Sequence, residues 1–456
     1  MGTERLPLGC DGTGRPLEGG PNIVSRPLHG DPISIHPSRR AFLLGTALSV
    51  VGWMNTRNSA LADVVVNGKG DAPKKDIFIS VFMRGGADGL NLVVPTFEDA
   101  YYRKRPSINV ASPKNMKVDA AARAVDLDGR WALHPMMAPL QPLFKEGKLA
   151  IVHACGSGDQ SRSHFEAMLA MERGLATEES GSASGWVGRH LDSTDHSGSS
   201  PLRAVAFSNV MPDLLRGATD ATALNSLSDF KLALPQGMPE RDLHAALKNL
   251  YNTGSDAVSI AGRETLAVLD TLNRIDPDDY APANGAVYPK DSQFATGLKQ
   301  VACMIRGNVG LEVACLDHRG PYLWDTHVAQ GTVFGAQAGD LAAGLAAFVK
   351  DMGSEMGRIT LVAMTEFGRR LQENSGIGTD HGRGGVMFVT GGGTHGGKVH
   401  GTWPGLEDRQ LDEVGDLRVT TDYRNVLSEI VQLRLKNNHI DKVFPDFTPQ
   451  PVGVVS

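Results

Sequence analysis

Short apolar runs alternate with longer stretches of helical periodicity along most of the chain. Runs at 76–83 (DIFISVFM), 149–154 (LAIVHA), 204–207, 310–316, 359–364 (ITLVAM) and 386–390 are rich in β-branched residues. Apolar on both faces, they read as buried parallel strands. Between them, apolar residues recur at helical spacing over 163–173, 240–251, 263–275, 292–305, 338–352 and 423–435. This alternation predicts an α/β protein with a central, mostly parallel sheet flanked by helices. Residues 276–291, rich in Pro and Asp, read as a loop, and 210–290 as a helical insertion.

The first residues follow a different rule. Ser38-Arg39-Arg40-Ala41-Phe42-Leu43-Leu44 places two arginines directly before an apolar stretch at 41–53, and Ala60-Leu61-Ala62 follows as a small-x-small cleavage pattern. The stretch falls short of the roughly 20 apolar residues that a spanning helix needs. A core helix behind a chance arginine pair is the plain alternative. The three features in order predict a twin-arginine-type signal over 1–62, a single functional region over 63–456, and a periplasmic or secreted product. No other segment reads as membrane-spanning, so no membrane contact is expected once the signal is removed.

Composition narrows the partners. The chain carries 45 Lys and Arg against 51 Asp and Glu, a formal net charge of −6. Mildly acidic and with no basic run, it is a poor nucleic-acid binder, because that affinity comes mostly from Lys and Arg on phosphates, and no nucleic-acid partner is expected. Cys155, Cys303 and Cys315 each sit in an apolar run and read as buried thiols, with one disulfide open; without a CxxC pair no thiolate zinc site is expected. The 53 glycines cluster near 85–86, 181–188 and 391–401, where a backbone must bend or approach a ligand.

Ligands of open α/β sheets bind beyond the carboxyl ends of the strands. There the chain offers Asp88, then Ser161-Arg162-Ser163-His164, Asp325-Thr326-His327, Glu366 and Asp380-His381. Carboxylate and imidazole together suit a divalent metal, zinc or manganese above all. Asp325, His327, Asp380 and His381 are the sharpest metal candidates, with Asp88 weaker. Each Asp–His pair also has a plain reading, one carboxylate orienting one ring. Glu366 either joins the site or pairs with Arg369 or Arg370. Ser163 reads as a helix N-cap, with Glu166 completing a capping box. Its functional reading is a nucleophile beside a metal, with Arg162 holding an anion. His153, inside a strand, reads as a satisfied core histidine, and His395 and His400 lie in a glycine-rich loop.

RGGADGLN, SRSHFEAM, WDTH, TEFGRR, GTDHGRGG and TTDYRNVL, behind a twin-arginine start, resemble the DUF1501 family of exported bacterial proteins. That family in turn resembles the alkaline phosphatase and sulfatase superfamily. The resemblance implies an alkaline phosphatase-like fold, metals at the strand ends and a nucleophile at a helix N-terminus. It implies an exported metal-dependent hydrolase of phosphate or sulfate esters. Catalytic roles would fall to Ser163, Arg162 and Glu366, and the partner would be a small anionic ester or a sulfated or phosphorylated polymer. The chain departs from the superfamily pattern: one residue separates Asp325 from His327 instead of three, and Thr365-Glu366-Phe367-Gly368 stands where an Asp-His pair is usual. These departures leave open two metals, one or none. The alternative is a non-catalytic binding protein that keeps the fold.

Overall fold

The apolar runs become strands because both of their faces are covered. The computed structural model describes residues 74–456 apart from 178–181, 196–198, 229, 233 and 235, so the predicted signal segment lies outside it. The strands are β1 (Ile77–Met83), β2 (Val93–Pro95), β3 (Val125–Asp126), β4 (Trp131–Leu133), β5 (Leu149–Gly156), β6 (Ala204–Phe207) and β7 (Ala221–Leu224). Then come β8 (Val313–His318), β9 (Ile359–Met364), β10 (Arg369–Glu373), β11 (Thr379–His381), β12 (Gly385–Gly391), β13 (Val399–His400) and β14 (Thr421–Asp422).

Nine of these form one sheet in the order β13-β5-β12-β9-β1-β8-β6-β7, with β14 also against β5. The β9-β1-β8-β6-β7 stretch is parallel throughout. β12 runs antiparallel to both β5 and β9, so the sheet is mixed. The connection explains this reversal. The chain leaves β9, makes the antiparallel β10–β11 hairpin and enters β12 from the same edge, without the long crossover a parallel neighbour needs. The carboxyl ends of β1, β8, β9 and β5 and the amino end of β12 therefore meet at one edge.

Alternate residues of β1 serve opposite layers, as the two-residue repeat of a strand requires. Ile77, Ile79, Val81 and Met83 pack with the Gln293–Arg306 and Gln330–Met352 helices through Leu298, Phe334 and Phe348. Phe78 and Phe82 face Trp186, Val426 and Ile430, the last two from the Tyr423–Leu433 helix. Glu429 on that helix, nearly buried, accepts main-chain N–H groups from Val452, Gly453, Val454 and Val455. Asp351, fully buried, accepts from the hydroxyls of Tyr280 and Tyr288 and from the Ala283 N–H, which pins the 276–291 loop to the core.

Three expectations need correction. The 210–290 insertion is narrower, because β7 belongs to the main sheet, and its helical part is the packed pair Glu240–Asn252 and Ala257–Ile275. The Gln330–Met352 helix begins eight residues earlier than its apolar periodicity suggested. It lies in the one stretch among the described residues, Gln330–Arg358, long and apolar enough by composition to cross a membrane, which the sequence reading missed because Gly, Gln and Thr dilute its start. Half of its apolar 18-residue window is buried within the fold, as a core helix would be. Cys155, Cys303 and Cys315, by contrast, are buried free thiols as their apolar runs foretold.

Candidate metal centre

Three connections deliver the candidate side chains to the edge where the strands end. After β5 the chain passes through Arg162, held at φ 55°, into the His164–Arg173 helix. The positive φ turns the Arg162 carbonyl toward His381 Nδ1, 2.7 Å away. After β8 the chain bends past Trp324, whose indole donates to His318, and presents Asp325 and His327. The loop is seated against Gly85, at φ 117°, where a Cβ would come within 2.7 Å of the Asp325 nitrogen. The β10–β11 hairpin then brings His381 opposite Arg369.

On this frame Asp325 Oδ1 becomes a hub. His327 Nε2 and His381 Nε2 each lie 3.1 Å from it, and His164 Nε2 lies 3.4 Å away. Ligand atoms of His164, Asp325 and His381 all fall within 4.8 Å of one another, and His327 Nε2 sits 2.9 Å from His381 Nε2. Behind the cluster, each imidazole meets an acceptor through Nδ1. Glu366 Oε1 faces His164 at 2.7 Å, the Arg162 carbonyl faces His381, and Asp380 Oδ1 faces His327 at 3.3 Å. A carbonyl can only accept, and carboxylates accept as well, so the Nδ1 atoms carry the protons. Three Nε2 lone pairs then point at one anionic oxygen.

Such convergence repels itself unless positive charge lies among the rings. Arg369, fully buried, supplies some from behind, with Nη2 2.6 Å from Asp325 Oδ1. The same guanidinium binds the carbonyls of Gly85, Gly86, Trp324 and Thr379, fastening three distant segments together. Burial by itself would raise the Asp325 carboxyl, but His164, His381 and Arg369 hold it far below the usual range. Burial likewise disfavours a charged His164, yet facing Asp325 and Glu366 lifts it to about 9. The centre therefore calls for a cation, met either by a proton on His164 or by a metal ion. The residues fit a metal on two counts. His164 Nε2 is buried with only a long, 3.4 Å approach to Asp325 Oδ1, and the rings carry the oriented outer acceptors that metal-ligating histidines use.

The structure brings Asp325, His327 and His381 together and assigns the other predicted residues elsewhere. Asp380 stands behind His327 and also accepts from Asn374, whose hydrogen bond leads the causes that depress its carboxyl. Glu366, fully buried, backs His164 and accepts the Gly85 N–H at 2.8 Å. Arg369 and Arg370 pair with other carboxylates, so the alternative reading of Glu366 as their ion-pair partner does not hold. Asp88 lies outside the cluster: it caps a short helix through the Leu90 N–H, forms a buried pair with Arg105 at 2.5 Å and accepts from Gln330. Ser163 caps its helix as its spacing foretold. The Arg162 guanidinium goes to Asp416, 2.7 Å away, leaving only its carbonyl at the centre. His395 and His400 bind main-chain carbonyls, His400 to that of His395. His153 donates to the Val93 carbonyl and accepts from the Ala154 N–H, a satisfied core histidine.

Sequence reasoning missed His164 and Arg369. His164 stood in the open as the first helical residue after a strand end, overshadowed by its capping serines. A cavity of about 790 Å³ lined by Lys148, Arg306, Lys350 and Gly391 contains none of these residues; it opens at the opposite edge, by the start of β9 and the end of β12.

Fold and cluster define an α/β protein with a mixed sheet and a three-histidine, one-aspartate cluster at the strand ends. The chain belongs to the DUF1501 family of proteins of unknown function, whose sequence model matches residues 75–427. No curated protein matches the chain.

Proposed function

We propose that the cluster binds one divalent cation, zinc or manganese, and that the protein is an exported metal-dependent hydrolase of phosphate or sulfate esters on an alkaline phosphatase-like fold. The observation that carries this reading is the convergence of three Nε2 atoms on Asp325 Oδ1, the buried His164 Nε2 among them. His164, Asp325 and His381 would hold the ion, with His327 beside them. A divalent ion bound there supplies Lewis acidity toward an ester oxygen and acidifies a bound water.

The rest of the work falls to the chain. Glu366, the Arg162 carbonyl and Asp380 fix the ring orientations, and Arg369 keeps Asp325 ionised and aimed. The start of the His164–Arg173 helix adds the partial positive charge that favours an anion. The Ser163 hydroxyl is engaged as a cap, so water is the nucleophile this arrangement favours. Export by the twin-arginine route suits the reading, because a chain folded beforehand already presents its ligands together.

One observation favours the non-catalytic alternative: Ser163 and Arg162, the side chains closest in sequence to a nucleophile and anion clamp, are both committed elsewhere. Metal analysis of the purified chain decides between the readings. Stoichiometric zinc or manganese is expected, lost in His164→Ala, Asp325→Ala and His381→Ala with the circular dichroism unchanged, together with turnover of an aryl phosphate or aryl sulfate. Folded, metal-free protein that is inert to both esters overturns the proposal.

A further inference from the structure

Around the cluster the loops carry a second kind of side chain. Phe165 follows His164 and is 84% exposed; Tyr322 and Leu323 precede Trp324-Asp325 at 52% and 57%; Val328 follows His327 at 68%; Ile377 precedes Asp380 at 52%. One such side chain on a surface is ordinary, but five occur on the segments that build this single centre. Val328 and Ile377 are held side by side. Ala329 N–H donates to the Gly376 carbonyl and Gln330 N–H to that of Ile377, while Asn374 Nδ2 reaches the His327 carbonyl.

Ile377 sits at φ 57°, a left-handed backbone that a β-branched residue adopts only at a cost. Glycine or asparagine would occupy that hairpin tip without strain, and strain of this kind gathers at ligand contacts. Charge points the same way. Arg84, Arg162, Arg370 and Arg383 each lie against a carboxylate: Arg84 on Glu172 and Asp317, Arg162 and Arg370 on Asp416, Arg383 on Asp412. The rim thus offers apolar surface, while each of these guanidinium groups already faces a carboxylate, Asp416 serving both Arg162 and Arg370.

We propose that this collar seats the alcohol part of the substrate, which is a small monoester of an alkyl or aryl alcohol and not a sulfated or phosphorylated polymer. The inference rests on the hydrolase reading above. In the reaction, the oxygen of water bonds to phosphorus or sulfur, the bond to the alcohol oxygen breaks, and a proton from the water ends on the departing alcohol. Alkyl carbons of that alcohol lie on Phe165, Leu323, Val328 and Ile377.

Alkylphosphonates from ethyl to decyl, whose carbon–phosphorus bond resists hydrolysis, test this by calorimetry on the zinc- or manganese-loaded full chain. Each added methylene should tighten binding about two- to fourfold until the collar is filled, the upper figure being full burial. A Val328→Ser, Ile377→Asn double variant should flatten the series with metal content unchanged; asparagine suits the left-handed position, so folding is preserved. Bound metal with no chain-length dependence overturns the collar and leaves the metal reading standing. Tighter binding of a sulfated polysaccharide than of decylphosphonate also overturns it, as does adsorption to phosphatidylcholine vesicles without any phosphonate. A chain that takes up no metal removes both proposals.

Discussion

Through its contact with Glu366, His164 has its free nitrogen decided for it. With Nδ1 donating to that carboxylate, Nε2 is left as a lone pair in the cluster. Glu366→Gln breaks this discipline, because an amide presents an N–H as readily as an oxygen. Metal affinity in that variant should fall about 10- to 100-fold, the usual cost of losing an outer acceptor, read by competition with a chromogenic chelator. Asp88 provides the contrast. Asp88→Ala leaves the buried Arg105 guanidinium uncompensated and should cost about 3–5 kcal/mol in urea unfolding, with metal stoichiometry unchanged in the folded fraction. Loss of metal without loss of stability in that variant would return Asp88 to the centre.

Elements place these residues by close approach. A methyl group at Gly85 would collide with the main chain of Trp324 and Asp325. Gly85→Ala should therefore weaken metal binding at least tenfold by displacing the Asp325 loop, a loss visible by calorimetry while the helical signal persists. The Tyr423–Leu433 helix depends instead on Glu429, whose two oxygens collect four N–H groups. Glu429→Gln replaces one acceptor with a donor aimed at donors and should lower stability by about 2–4 kcal/mol in thermal or urea unfolding. These elements were unequally legible in the sequence. β1, β6 and β9 announced themselves because strands buried on both faces leave uninterrupted apolar runs. The β10–β11 hairpin (RRLQE and TDH) did not, since its pairing is set by what it carries to the centre and not by a periodic apolar face. The same division holds within the site. Asp325, His327 and His381 stood out as neighbouring carboxylate and imidazole groups, whereas Arg369 acts through main-chain carbonyls that no side-chain pattern records. Asp88 misled because a carboxylate after a strand looks alike whether it meets a metal or an arginine.

Across the whole molecule, buried histidines set the response to acid. Burial lowers His153 to about 4, and burial with Arg203 nearby lowers His190 to about 4, against 6.5 when exposed. Between those values the unfolded chain takes up protons that the folded chain refuses. Stability should fall as pH drops from about 6.5 to about 4 and level off below, by up to about 3 kcal/mol for each imidazole. In the metal-free protein His164 works in the opposite sense: its contribution is complete below 6.5 and is lost as pH rises through about 9. Urea midpoints measured across this range should therefore peak between the two limits, and a midpoint that is flat from pH 6.5 to 4.5 contradicts the account.

The Arg369 guanidinium carries one more implication. It grips carbonyls at Gly85, Trp324 and Thr379, so the cluster it supports exists only when segments almost three hundred residues apart have docked. On the metal reading, a partly synthesised or half-folded chain would have no cation trap to offer. Whichever compartment hosts that final docking would then also dictate which ions are on hand to be captured, so cation identity would be inherited from the place of folding as much as from the ligands themselves.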